Sequence, residues 1–315
     1  MCATGARLDR STVGDSLPPD TEPERLDRTH GQGDKRLSAL KQVIQQSPDR
    51  ASPLMDQATP LAERLASYLE PQLEERTVVE LRVGLLYVAA RLSNGAIGLA
   101  HVVGRRPGVC RPLRGAGALA ETAARQMAEW IHSPDTVEAS VGLAVLNAAA
   151  AGLIQQPEEA DIRKSLRMRA GDRVAMVGYF APLLPWLREA GAHVDILELN
   201  PVPGTRPAED ADAVLPHCDV ALITATTLIN HTLDGLLALA GGAREVVLLG
   251  PSTPMALDVF VGTPVTVLAG VEVVDSEAIL NIVSEGGSTR EFGSAVRKVC
   301  ARVPKLSGAG SGSTP

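Results

Sequence analysis

The residues best suited to chemistry in this chain lie in one run, Asp219-Val-Ala-Leu-Ile-Thr-Ala-Thr-Thr-Leu-Ile-Asn230. The apolar stretch Val220 to Ile223 predicts a buried parallel strand. Directly after it come Thr224, Thr226, Thr227 and Asn230, short polar side chains within seven positions. One such group caps a helix well, and Asn230 or Thr232 suits that role. Four exceed the needs of one cap. In an open α/β sheet, ligands bind beyond the carboxyl ends of the strands. The run therefore marks a pocket wall that offers hydroxyls and an amide.

Three further segments carry similar groups. Val177-Gly178-Tyr179-Phe180-Ala181-Pro182 reads as a first strand-to-helix turn. A dinucleotide-binding turn has G-x-G-x-x-G, so that backbone can approach a pyrophosphate. Here Gly178 stands alone, and the bulk of Tyr179 and Phe180 disfavours a pyrophosphate cradle. Glu198 lies twenty positions after Gly178, near the end of a second strand, and Asn200 follows it. An acid at that point accepts hydrogen bonds from ribose hydroxyls in nucleotide folds; its bland role is an exposed strand-end acid. Gly250-Pro251-Ser252-Thr253-Pro254 follows a fourth strand. Ser252 and Thr253 offer hydroxyls to an anionic group, although two prolines remove backbone donors; the alternative is a rigid connection. The candidate ligand-binding set is thus Gly178, Tyr179, Glu198, Asn200, Thr224, Thr227, Asn230, Ser252 and Thr253.

Metal ligands are harder to find. His217-Cys218-Asp219 is the densest group, with His193, Asp195 and His231 elsewhere. Adjacent side chains on an extended segment point apart, and no compact zinc spacing occurs. Cys218 before a strand reads as a small buried hydrophobe. No metal ligand and no catalytic residue is assigned. There is no G-x-S-x-G elbow. His101 ends a strand, with Arg91, Arg105, Arg106, Arg111 and Arg114 near it in sequence. These are either contacts for an acidic ligand at a domain interface or a solvated basic edge, and the pattern favours the edge.

The elements that must position these groups fall into two domains. Residues 1–35, polar and without an apolar period, predict a disordered tail. Residues 36–165 predict a small α+β domain. Its helix over Leu61–Leu69 places Leu61, Leu65, Tyr68 and Leu69 on one face, strands follow at Val78–Val88 and Ala96–Val103, and Ala-rich helices at Ala118–Ile131 and Thr136–Leu153. Ser93-Asn94-Gly95 between the strands is a strong hairpin signal. Residues 166–305 alternate strand and helix, with strands at Arg173–Val177, His193–Leu199, Val220–Ile223, Glu245–Leu249 and Val265–Leu268. Helices are expected over Pro182–Ala190, Thr232–Ala240 and from Glu277 to Ser284, closed by glycines. This alternation predicts an α/β class with a parallel, doubly wound, Rossmann-like sheet and right-handed crossovers. Residues 306–315 have the composition of a flexible tail.

Composition narrows the function. The chain has 315 residues, 45 % hydrophobic, 3 % aromatic, with a net charge of −7. A core built from Leu, Val and Ala follows. No basic-aromatic interleaving points to nucleic acid, and no apolar run reaches the roughly 20 residues of a membrane span. The N-terminus lacks the apolar core of a secretory signal. Cys2, Cys110, Cys218 and Cys300 are far apart, which suits free thiols in the cytoplasm.

Taken together, Val177-Gly-Tyr179, Glu198-Leu-Asn-Pro201, Leu215-Pro-His-Cys-Asp219, Thr224 to Asn230, Gly250 to Pro254 and Glu285-Gly-Gly287 resemble the signature segments of the heavy-metal chelation domain family. That is a Rossmann-like domain of unknown function, usually preceded by an enolase N-terminal-like domain. The hairpin and Ser140-Val-Gly-Leu-Ala-Val-Leu-Asn147 resemble that partner, and the likeness spans roughly residues 55–300. It implies a small-ligand-binding protein with a cleft between domains, taking a divalent metal ion or a metal chelate in metal homeostasis or chelator metabolism. The Gly178–Glu198 spacing keeps a second reading open: an enzyme of specialised metabolism with an adenosine-containing cofactor or substrate, such as S-adenosylmethionine or a nucleotide. The expected partner is a small molecule or metal, with neither nucleic acid nor membrane, and a homo-oligomer is compatible with either reading.

Overall fold

A computed structural model of the chain describes residues 27–46, 59–104, 112–154 and 161–305, with side chains from residue 34 onward. The C-terminal tail 306–315, residues 1–26, and Arg105, Arg106, Arg111, Cys2 and Cys110 lie outside the described residues. The helices are α1 (Asp27–Gln45), α2 (Leu61–Leu73), α3 (Ala124–Ala128), α4 (Thr136–Ala150), α5 (Ile162–Ser165), α6 (Leu184–Glu189), α7 (Ala211–Val214), α8 (Leu233–Leu239) and α9 (Ser276–Ser284). The strands are β1 (Thr77–Val83), β2 (Tyr87–Leu92), β3 (Ile97–His101), β4 (Thr122–Ala123), β5 (Arg173–Val177), β6 (His193–Glu198), β7 (Arg206–Pro207), β8 (Val220–Thr224), β9 (Glu245–Leu249), β10 (Val267–Val273) and β11 (Val296–Arg302).

Two sheets result, and the class is α/β. The first is antiparallel, in the order β3-β2-β1-β4. The expected strand Val78–Val88 is in fact two, β1 and the start of β2, broken where Gly84 begins a turn whose N–H donates to Tyr87 O at 2.9 Å. The Asn94-Gly95 hairpin then joins β2 to β3, with Gly95 at φ 86°. The expected helix Ala118–Ile131 begins only at Ala124, because residues 122–123 pair with β1 instead. Helix α4 lies on β2 and β3. Asp135 starts it by accepting from the N–H groups of Val137 and Glu138, as a cap should. Its small residues let the backbone come very close to β3. A Cβ on Gly98 would stand 2.1 Å from Ala144 O and 2.2 Å from Ala148 N.

The second sheet runs β11-β10-β9-β8-β5-β6-β7. All neighbours are parallel except β10 and β11. Counting strands as they enter this sheet, the order is 3-2-1-4-5-6-7, the Rossmann arrangement with an added antiparallel edge. That edge strand was not anticipated, since Val296-Arg-Lys-Val-Cys-Ala-Arg302 is buried only at its end. Both faces of the central strands are covered, which explains the continuous apolar run in β8. Ala221 and Ile223 enter one core, and Val220 and Leu222 the other.

One core crosses between the sheets, joining Leu65, Val88 and Leu146 to Ile223, Leu236 and Leu248. Polar ties reinforce it. Leu61 N–H donates to Asp234 Oδ1 at 2.9 Å, and Tyr68 Oη donates to Asp258 Oδ2 at 2.8 Å. Helix α1 begins at Asp27, within the stretch expected to be a tail up to residue 35. It packs on α7 and α8 of the second unit rather than on the first sheet. Leu40 is buried, and Ile44 lies so near Gly235 that a Cβ there would be 1.8 Å from Ile44 Cγ2. Only Leu37, Leu40 and Ile44 signal this face, at its C-terminal half, too few to mark a helix in advance.

Candidate functional site

The strand order locates the site. Strands β5 and β8 are neighbours, yet the chain leaves β5 toward β6 and leaves β8 toward β9. Their carboxyl ends therefore diverge and open a crevice. Val177 pairs with Ile223, which sets Gly178 beside Thr224. Gly178 has φ 93°, a conformation that a side chain disfavours, and an added Cβ would lie 3.1 Å from Thr224 Cβ. Its N–H donates to Leu197 O at 2.9 Å, which fixes the turn against β6. Glu198 ends β6 beside it. Burial pushes the Glu198 carboxyl above the usual carboxylate range, and the main-chain N–H groups of Tyr179 and Leu199 offset part of that rise.

The opposite wall comes from the first sheet. β3 ends at His101, and Tyr87 stands across the ladder from it. The two rings meet edge to face, 5.1 Å apart at 86°. Tyr87 also packs on Phe292 at 4.9 Å. Burial raises the Tyr87 phenol to about 12, so it stays a neutral hydrogen-bonding group. The His101 imidazole is pushed down from its ordinary value by burial, which the Val102 main chain offsets only in part. Its Nδ1 is buried and has no hydrogen-bond partner among the described residues. Its main chain is clamped on both sides. The N–H donates to Ser252 Oγ at 2.9 Å, and the carbonyl accepts from Ser140 Oγ at 2.8 Å.

Between these walls lies a cleft of about 2970 Å³, lined by Gly178, Glu198, Thr224 and Thr226 on one side and by Tyr87 and His101 on the other. That exceeds the roughly 300–1,000 Å³ of an ordinary small-ligand pocket, so the space is a broad interdomain cleft rather than a fitted cavity. Lys298 of β11 and Lys41 of α1 also face it. Arg114 reaches its rim but is occupied, 4.6 Å above the Trp130 ring and 3.7 Å from Glu138. Arg91, the other described arginine of that group, pairs with Glu277 and Glu80 away from the lining.

The nine sequence-selected residues separate into three sets. Gly178, Tyr179, Glu198, Asn200 and Thr224 line the cleft, with the Thr224 hydroxyl already shared with Thr226 Oγ1 at 3.0 Å. Thr227, Asn230 and Ser252 line it too, but each is almost wholly buried and spends polar groups inside the protein. Thr227 Oγ1 donates to Thr224 O at 2.7 Å, and Asn230 Oδ1 accepts from Thr232 Oγ1 at 2.7 Å. The Ser252 hydroxyl is the joint to His101. Thr253 does not reach the lining; its N–H closes a turn to Gly250 O at 3.0 Å. The surplus of polar groups after β8 and β9 thus serves the fold as well as the cleft. By sequence alone His101 falls within a basic edge. The signal for it was Tyr87 and His101 each at a strand end, which only the antiparallel register joins.

A bare metal ion finds no ready site. Among the described residues, no three His, Cys, Asp or Glu side chains converge. Cys218 is buried, its Sγ donating to Leu215 O at 3.1 Å, and burial raises its thiol to about 11. Asp219 accepts from Arg173 N–H at 2.9 Å, and Asp195 pairs with Arg206 at 3.3 Å. Among the described residues that line the cleft, His101 Nδ1 is the buried side-chain atom without a hydrogen-bond partner.

Fold and site define a Rossmann-like α/β protein with a broad cleft between its parallel sheet and a smaller antiparallel unit. Two family models match the chain, DUF4213 over residues 66–150 and DUF364 over residues 161–302, each described as "Putative heavy-metal chelation". Between them the two matches span most of the described chain, one for each sheet. The likeness of its first domain to an enolase N-terminal domain rests on the sequence segments alone. An uncharacterized protein of Methanocaldococcus jannaschii is 25 % identical over 256 residues, covering 77 % of this chain and 96 % of that one. A DUF364-family crystal structure from Desulfitobacterium hafniense, of unknown function, is 27 % identical with a TM-score of 0.64, covering 76 % of this chain and 98 % of its own. One from Pyrococcus horikoshii has a TM-score of 0.68 at 24 % identity, covering 77 % and 100 %, which speaks for the fold alone.

Proposed function

We propose that this is a cytoplasmic protein that holds a small polar ligand in the cleft between its two sheets, and that a metal enters there as a chelate rather than as a bare ion. The observation that carries this reading is the broad polar cleft at the switch point, in which no metal-holding cluster converges among the described residues. The crevice offers hydroxyls, a half-buried carboxyl and main-chain groups, which suit an oxygen-rich organic ligand. The described residues supply too few donors to strip and hold a free cation, since zinc and its neighbours want three or four converging ligands. A chelate brings those donors with it. Among the described residues, no helix is long and apolar enough to cross a membrane.

Calorimetric titration of chelator-free protein tests it, with Ni, Co, Cu, Zn and Mo species given first alone and then as complexes of small carboxylate chelators. Micromolar binding of complexes with weak binding of the bare ions supports the reading. Tight binding of bare ions, or none of either, sinks it.

A second reading has its own observation. Glu198 ends the strand next to Gly178, where a ribose-binding acid stands in nucleotide folds. An enzyme using S-adenosylmethionine or a nucleotide would then be stabilised by that ligand through mass action. A thermal-shift panel decides: no shift at saturating ligand, or the same shift in Glu198→Ala, counts against it.

A further inference from the structure

We infer that the switch-point crevice takes a single nucleoside, with the Tyr179 ring as the platform on which its base stacks and the Phe180 ring as the block that excludes a pyrophosphate. This rests on the adenosine reading of Glu198 above and goes beyond it by assigning the base-binding residue and the part of a dinucleotide that the crevice refuses.

Three features of the turn after β5 support it. First, Tyr179 is the most exposed aromatic residue of the chain, at 50 %, and it lines the cleft. Its ring has no aromatic partner among the described residues. An aromatic face left open in a polar cleft gives a flat ring a surface to stack on. Second, the turn and Glu198 stand side by side, because Val177 pairs with Leu197. The Glu198 carboxyl faces the main-chain N–H groups of Tyr179 and Leu199, and no lysine or arginine among the described residues pairs with it. A carboxylate with lone pairs to spare accepts hydrogen bonds from ribose hydroxyls. The base of that ribose then needs a flat apolar surface close by. Third, Phe180 stands where the second glycine of G-x-G-x-x-G lets the backbone approach a pyrophosphate. Its ring comes within 3.5 Å of the Cβ position of Gly178 and 4.0 Å of that of Gly250. Those glycines follow β5 and β9, and β8 lies between these strands, so the ring spans the end of β8. It packs on the core of Met176, Leu222 and Leu249 and cannot swing aside without opening that core. Protein thus fills the space where a dinucleotide runs its phosphates.

Isothermal titration calorimetry of the full chain with adenosine, S-adenosylmethionine, ATP and NAD tests it. Adenosine or S-adenosylmethionine is expected to bind at micromolar concentration, with ATP and NAD at least about tenfold weaker. Tyr179→Ser, at an exposed position, should weaken the bound nucleoside about tenfold or more, the loss of one base–aromatic stack. Tyr179→Phe keeps the face and should retain the parent affinity, which separates stacking from loss of the hydroxyl. Phe180→Ala opens the blocked space and should narrow the gap between NAD and the nucleoside. Circular dichroism checks that this variant folds, and Phe180→Val replaces it if it does not. Equal nucleoside affinity in Tyr179→Ser and the parent, ATP or NAD binding as tight as the nucleoside, or a gap unchanged at Phe180 overturns the inference and leaves the adenosine reading standing. Absence of binding by all four ligands removes both.

Discussion

Ser252 Oγ accepts the His101 N–H at 2.9 Å, so a loop of the parallel sheet fixes the last residue of a strand in the other sheet. Asn147 strengthens the same joint, its Nδ2 donating to Leu99 O at 2.7 Å and to Ser252 O at 3.1 Å. The cleft wall is thus assembled by hydrogen bonds that cross between the sheets.

Breaking this joint should cost stability as well as binding. Ser252→Ala leaves the His101 N–H without its acceptor, at about 1–3 kcal/mol for a buried donor. Asn147→Ala removes the companion bonds. Because both act on one joint, the double variant should deviate from additivity by at least about 0.5 kcal/mol. Urea denaturation of the four proteins measures it, and strict additivity would show that the bonds act independently.

Gly98 tests the helix-to-strand approach in the first unit. An added methyl meets backbone of α4 at 2.1 Å and 2.2 Å, where no side chain can swing aside. Gly98→Ala should therefore destabilise by more than the ~1–3 kcal/mol typical of overpacking in yielding cores. The thermal midpoint of purified protein reports it; a shift of under 2 °C, small against the few degrees expected per kcal/mol, would contradict the close packing.

Two buried titrating groups predict opposite pH responses. Burial lowers the His101 pKa from 6.5, so the folded protein resists protonation there. Its contribution is present above pH 6.5 and is lost as pH falls through the lowered folded value. His101→Phe should flatten the stability loss between neutral and mildly acidic pH. Glu198 is the reverse case: its folded pKa is raised above 4.5. The stability it gives is present below 4.5 and lost as pH rises through the raised value. Glu198→Gln should thus be more stable than the parent at pH 7, and the gain should vanish near pH 4. Denaturation series at several pH values separate the two; a Glu198→Gln gain that is independent of pH would rule out titration as its cause.

Cys218 and Cys300 are both buried, and the Cys218 thiol is raised to about 11. Since the thiolate is the reactive form, neither should be alkylated by iodoacetamide in the native protein at pH 8. Peptide mass spectrometry before and after unfolding tests this. Rapid native labelling of Cys218 would contradict its burial.

Much of this protein was legible in its residues. Apolar runs such as Val220–Ile223 and the alternation of strand and helix fixed the parallel sheet, because full burial on both faces leaves a continuous hydrophobic signal. The turn at Gly178, the acid at Glu198 and the threonines after β8 followed from local spacing alone. What local spacing does not encode is pairing over long separations. Nothing in the residues says that Ser252 meets His101 across 151 positions, or that α1 returns to the second unit through Ile44 and Gly235. Those contacts depend on how the two sheets pack. They turned Ser252 from a ligand-facing hydroxyl into a structural joint, withdrew Thr253 from the cleft, and brought the His101 imidazole to its wall.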